Sequence, residues 1–393
     1  MRAGLHALMN RRKHVVAALL TAVLIAWLVL AGSAIAQPLL DFTPEERAQI
    51  VGHGPWPPAP RQDASNRVIG HPAAIDLGKR LFFDKRLSID GRFSCASCHR
   101  ANQAFQDGLP TAIGRNPGTR NTPSLLDVAG QRWFGWDGAN DSLWAASLAP
   151  VMALNEMAQN PKRLAALARA RPAWRTAYRS VWGKPMPTDD IELSVNLAKA
   201  LAAYQATLVS PRTRFDDFRD AIQRGDDYAA SRYPVDAQRG LRLFMGEARC
   251  SVCHAGAGFT NGEFGDIGVS FFVPGGVDPG RHGGLVKLKA NAMNRLGAHN
   301  DAGAVDPDAV LTQHLLIEHR HFGEFRVPGL RQLVRTAPYM HNGSLATIED
   351  VVRHYDKLNE ERLHADGERI LRPLNLSTQQ AADLAAFLRS LSD

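Results

Sequence analysis

Two short stretches constrain this chain more than anything else in it: Cys95-Ala96-Ser97-Cys98-His99 and Cys250-Ser251-Val252-Cys253-His254. Two thiols three residues apart, followed at once by an imidazole, form the attachment signature of a c-type haem. Each thiol can add across one haem vinyl group, and the adjoining histidine then sits under the iron. The four cysteines of these stretches are the only ones in 393 residues. The rival reading is structural zinc. Zinc ribbons place their Cys pairs about 15–20 residues apart, whereas Cys98 and Cys250 lie most of a domain apart. A thioredoxin-type dithiol wants a βαβ setting, and no stretch alternates convincingly with period two. The expectation is two covalent haems c on Cys95/Cys98 and Cys250/Cys253, with His99 and His254 as iron ligands.

The length predicts two domains of ordinary size. The formal charge of +7 includes Arg2, Arg11, Arg12 and Lys13, which belong to a leader; without them +3 remains. That balance is too weak for a nucleic-acid partner. Met1 to Lys13 is basic and free of acids, Val15 to Ala31 is apolar, and Ala34-Ile35-Ala36 is a small-x-small cleavage site. Residues 1–36 read as a secretory signal peptide, which places the protein in the periplasm. The membrane is a partner only if the leader is retained as an anchor. Export agrees with the haem reading, because bacterial c-type haem is attached outside the cytoplasm.

Residues 37–70 read as an N-terminal arm. Thr43-Pro44-Glu45-Glu46 gives a cap, a first-turn proline and acids on the helix dipole. Pro55 to Pro60 favours an extended surface run anchored by Trp56. Two haem domains follow, residues 71–228 and 229–393, with a boundary near Gly225 to Asp236. Apolar spacing predicts helices over Ala73–Phe83, Ser142–Met152, Pro161–Ala170, Ile191–Val209, Ile348–Tyr355 and Gln379–Leu391. The class is mainly α: two cytochrome c-like domains related by internal duplication, with long irregular loops. The repeat is visible as Gly78-Lys79-Arg80-Leu81-Phe82 before the first motif and Gly240-Leu241-Arg242-Leu243-Phe244 before the second. Val273–Ala309, rich in Gly, Asp and Asn, reads as an irregular excursion. His314, His319 and His321 follow it and read as surface histidines, with a metal site as the alternative.

No histidine lies between His99 and His254. A second ligand for the first iron would have to come from Met152, Met157, Met186, Met245, a lysine or the other half. The economical reading leaves that iron open on one side, able to bind peroxide. Peroxide needs a group to move a proton between its oxygens. Glu156 is the candidate, and a solvated helix-end carboxylate is its competing reading. Trp133, Trp136 and Trp144 read either as core or, between two haems, as carriers of a hole.

Leu77 to Gly108, Arg120-Asn121-Thr122-Pro123-Ser124-Leu125, Trp136-Asp137-Gly138, Glu156-Met157 and Phe325 to Tyr355 together resemble the bacterial di-haem cytochrome c peroxidase family. The resemblance is closer to its MauG-like branch. It implies a calcium ion between the haems, with the family's asparagine falling on Asn121 and its carbonyl donors on Thr336 and Pro338. The inter-haem tryptophan falls on Trp136, the distal glutamate on Glu156 and the distal-pocket proline on Pro150. At the far side of the second haem, peroxidases use methionine and MauG-like proteins use tyrosine; here Tyr355 stands at that position. Met340 or His341 is the alternative ligand. There are departures. Ala146 replaces a distal glutamine, Ala139 replaces an arginine after Trp-Asp-Gly, and the histidine that caps the first haem of resting peroxidases is missing. Ala248 stands where MauG passes holes to its protein substrate.

The resemblance implies a di-haem oxidoreductase that reacts with hydrogen peroxide and stores two oxidising equivalents. These would oxidise a partner at long range, most simply an aromatic side chain of a protein. One rival is a cytochrome c peroxidase fed by a small cytochrome or cupredoxin in the periplasm. The other is a non-catalytic electron carrier with both irons six-coordinate.

Overall fold

The computed structural model describes residues 38–367 and 370–392. The expected leader, 1–36, lies outside them. Among the described residues no helix is long and apolar enough to cross a membrane. The principal helices are α1 (Pro44–Gly52), α2 (Pro72–Phe82), α3 (Leu143–Met152), α4 (Pro161–Arg169), α5 (Pro172–Trp182), α6 (Asp190–Gln205), α7 (Arg214–Arg224), α8 (Val235–Met245), α9 (Arg281–Ala290), α10 (Ile348–Asp356) and α11 (Thr378–Arg389). Strand content is confined to two-residue pairs, such as Phe264 opposite Arg326. The mainly-α expectation holds.

Helix starts follow the local chemistry. The Thr43 hydroxyl accepts from the Glu46 backbone N–H while the Glu46 carboxylate accepts from Thr43 N–H, a capping box at α1. Ser377 and Gln380 do the same for α11. Asp189 caps α6.

Each half is built on one helix crossing. In the first, α2 meets α6 at Gly78, where any added Cβ would overlap the Ala200 carbonyl. In the second, α8 meets α11 at Gly240, where a Cβ would overlap the Asp383 carbonyl. Glycine at both points lets two backbones touch.

Helix α6 is not the amphipathic element that its spacing suggested. Leu193, Leu197, Leu201 and Tyr204 pack with Leu77, Phe82, Trp174 and Tyr178. Val195, Ala198 and Ala202 pack with Trp144 and Leu148 on the other side. A helix used on both faces is buried all round. Even Lys199 is buried, satisfied by Asp301 at 2.8 Å.

Three expectations need correction. Helix α7 was placed in the first domain, but Phe215, Phe218 and Ile222 join Leu241, Phe244, Ile348 and Phe387 in the second core. The arm is only partly a surface element. Phe42 and Ile50 belong to that same core, while residues 57–60 are exposed and Trp56 anchors them as expected, its indole N–H donating to the Ser210 carbonyl at 2.9 Å. Finally, the Val273–Ala309 excursion contains α9. Its Gly, Asp and Asn content suggested irregular chain, yet Gly284 is needed where α9 presses on the Asp137 carbonyl.

Candidate functional site

The two attachment turns are near copies. His99 N–H donates to the Cys95 carbonyl at 2.8 Å, and His254 N–H to the Cys250 carbonyl at 2.9 Å. Each turn holds its two cysteines as free thiols on one side. The imidazoles are fixed by the same device. His99 Nδ1 donates to the Phe105 carbonyl at 2.9 Å and His254 Nδ1 to the Phe259 carbonyl at 3.0 Å. Both acceptor residues have positive φ, 57° and 53°, which aims their carbonyls inward. A histidine that donates one ring N–H to a backbone carbonyl offers the other nitrogen to a metal. Burial lowers the pKa of both imidazoles, favouring the neutral, ligating form. It also pushes the Cys95 and Cys250 thiols up to about 12.

What faces these turns differs. Glu156 follows α3 in a turn pinned by a neighbouring loop: Asn116 N–H donates to the Asn155 carbonyl at 3.0 Å and Arg115 N–H to the Glu156 carbonyl at 3.3 Å. Glu156 is exposed to solvent, yet its carboxyl lies near enough to Cys95 and Cys98 to raise both thiols. Desolvation raises the Glu156 carboxyl above the usual carboxylate range. Pro150 is inside α3, on the helical turn before Glu156.

The second turn opens on a cavity of about 1800 Å³ lined by Cys250, Cys253, His254, Tyr355, Met340, His341, Trp136 and the Asn121–Ser124 loop, among others. Tyr355 is half-buried on α10. Its hydroxyl makes no hydrogen bond among the described residues, and burial together with Cys250 and Cys253 raises its pKa. His341 sits differently: it stacks on Phe325 at 3.5 Å, and the charges acting on it are those of Asp278 and Arg120.

Trp136 is buried in the wall between the halves, its indole N–H donating to the Asn121 carbonyl at 2.9 Å. Asn121 also donates through Nδ2 to the Leu109 carbonyl at 2.8 Å. Its Oδ1 accepts no hydrogen bond among the described residues. The Thr336 and Pro338 carbonyls likewise accept no hydrogen bond among the described residues, and all three residues line the same cavity.

Two residues escaped sequence reasoning. Arg281 and Arg326 line the cavity and are 4% and 5% exposed, and burial lowers each guanidinium to about 10. Neither makes an ion pair among the described residues. Arg281 Nη1 donates to the Gly138 carbonyl at 2.9 Å and the guanidinium lies 3.9 Å over the Phe264 ring; Arg326 Nε reaches the Gly135 carbonyl at 3.3 Å. Asp137, Glu263 and Glu324 act on Arg281 from beyond ion-pair distance, and burial alone acts on Arg326. Buried cations without a direct ion pair are costly, and haem propionates would supply one. Free thiols, oriented imidazoles, an apolar cavity and two arginines without a direct ion pair all fit the implied haem.

Comparison with known proteins agrees. Residues 72–224 match the family described as di-haem cytochrome c peroxidase. The methylamine utilization protein MauG of Methylorubrum extorquens is 35% identical over 322 residues, 81% of this chain and 78% of that one. This chain belongs to the di-haem cytochrome c peroxidase family. Cytochrome-c peroxidase IdrP1 of Denitromonas iodatirespirans is 35% identical over 86% of each chain. Cytochrome c551 peroxidase of Pseudomonas aeruginosa is 30% identical over 81% of this chain and 78% of that one. Among solved structures, a MauG-like protein associated with microbial copper homeostasis superposes with TM-score 0.64 and 26% identity, covering 86% of this chain and 96% of that one. As a family member the chain is a di-haem oxidoreductase with two haems c.

Proposed function

We propose that the chain is an exported, MauG-like enzyme that uses hydrogen peroxide to oxidise a partner protein. Bound at the two turns, haem c would supply peroxide activation on one side and storage of two oxidising equivalents for remote oxidation. His99 and His254 are the proximal ligands. Glu156 holds a proton at higher pH than an ordinary carboxylate and moves it at the first site, a task suited to a raised carboxyl. Pro150 shapes the approach to that site. Trp136 relays electrons between the halves. Asn121, Thr336 and Pro338 would hold calcium through oxygens that accept no hydrogen bond among the described residues, the hard donors that ion takes. The leader directs the chain to the periplasm.

The observation that carries this reading is Tyr355. Its phenol lies beside the cysteines of the second turn without a hydrogen-bond partner, which suits a metal ligand whose proton leaves on binding. His341 is held against Phe325 instead. A phenolate lowers an iron potential where methionine raises it. That favours storing oxidising equivalents over drawing electrons from a small donor.

The test is spectroscopy of the diferric protein before and after one equivalent of peroxide. The low-spin signal should change in Tyr355→Phe and persist in Glu156→Gln, and conversion by peroxide should slow in Glu156→Gln. Unchanged behaviour in both variants removes these assignments. The peroxidase names of two relatives favour a second reading, reduction of peroxide with electrons from a small cytochrome or cupredoxin. Steady turnover with a reduced c-type cytochrome, together with methionine ligation at the second haem, would select it.

A further inference from the structure

We propose that His319, His364 and Asp366 form a binding site for a divalent transition metal, of the Zn(II), Cu(II) or Ni(II) class, at the mouth of the second cavity. Their ligand atoms all lie within 4.8 Å of one another. His319 Nδ1 is 2.9 Å from Asp366 Oδ2, and the two imidazole centroids are 4.8 Å apart, edge to face. The first donor comes from the 3₁₀ turn His319–His321 and the other two from the chain about forty-five residues later. Of the three histidines that stand together in sequence, only His319 joins the cluster. His314 is exposed elsewhere, and His321 faces Glu318.

Stability does not explain the arrangement. An ion pair with side chains 77% and 62% exposed contributes little in water. Imidazole nitrogens with one carboxylate oxygen suit zinc, copper or nickel, whereas calcium and magnesium prefer all-oxygen sets. Three protein donors also leave a fourth position for water. Bond lengths of about 2.0–2.2 Å require the ligand atoms to close in by roughly an ångström, which exposed side chains achieve by rotation.

The location gives the ion a consequence. His321, Leu363, His364 and Gly367 line the cavity that opens on His254 and Tyr355. A bound ion would tie the 319–321 turn to the 363–367 segment across its mouth and restrict entry there.

The experiment is calorimetric titration of untagged, haem-loaded protein with Zn(II) alone, calcium being present in excess. One Zn(II) should bind per chain, and His364→Ala and Asp366→Asn should each weaken it by about tenfold or more. Asp366→Asn should keep the parent haem spectrum, since Asp366 does not line the cavity that opens on His254. EPR of the Cu(II)-loaded protein should carry nitrogen couplings that His364→Ala reduces. Absence of saturable Zn(II) binding, or affinity within about threefold of parent in both variants, overturns the site. So does an effect of between three- and tenfold without a change in the Cu(II) signal.

Discussion

The two attachment turns present the same imidazole, the same pair of thiols and the same left-handed phenylalanine carbonyl behind the ring. They differ in what faces them. The first meets Glu156, a carboxyl raised by desolvation; the second meets Tyr355, a phenol without a hydrogen bond among the described residues. One attachment device used twice does not distinguish the two sites by itself. The difference comes from segments that return to each turn from later in the chain, one from the end of α3 and one from α10.

The largest expected effect separates the two faces chemically. Glu156→Gln should slow the reaction with peroxide by about 10²–10³, within the range for removing a proton-transfer group. The parent rate should carry an ionisation above 4.5, the ordinary glutamate value, that the variant lacks. Stopped-flow traces across pH measure both. A parent profile without that ionisation would sever Glu156 from the chemistry.

Next in size is a test of what the halves share. Gly78→Leu and Gly240→Leu should each destabilise the protein by about 3 kcal/mol, because overpacking a tight backbone crossing forces helices apart. Denaturant unfolding of the loaded protein checks it. A large cost in one half and none in the other would break the structural parallel.

The third effect is spectral. Tyr355→Phe should alter the low-spin haem and leave the high-spin one unchanged, with thermal stability close to parent because no protein hydrogen bond is lost. The smallest concerns Glu156 again. Its folded pKa is raised, so the stability associated with it is present at low pH and is lost as pH rises from the unfolded value through the folded one. At neutral pH Glu156→Gln should therefore be as stable as parent or slightly more so. A clear loss of stability would make Glu156 a structural residue.

Much of the site was legible because covalent attachment demands a fixed local pattern, and Cys-x-x-Cys-His can be read without knowing the fold. Helices with one apolar stripe or a capping box were legible for similar local reasons. Helix α6 defeated the stripe argument by being buried on both faces. Helix α9 was hidden by a glycine-rich composition in which Gly284 serves the Asp137 contact. The placement of α7 and Phe42 in the second core depends on which core they reach, and periodicity carries no such information. Arg281 lies in the excursion and Arg326 at the start of the Phe325 to Tyr355 stretch, and only burial without a direct ion pair marks them. The His319, His364 and Asp366 cluster joins residues far apart in sequence, while the three histidines adjacent in sequence do not converge.

The central claim is that the two irons are unequal, one open beside Glu156 and one closed by Tyr355. EPR of the resting diferric protein tests it most directly. One high-spin and one low-spin signal in equal amounts, with only the low-spin signal altered by Tyr355→Phe, is the predicted result. Two low-spin signals, both indifferent to Tyr355→Phe, would contradict it.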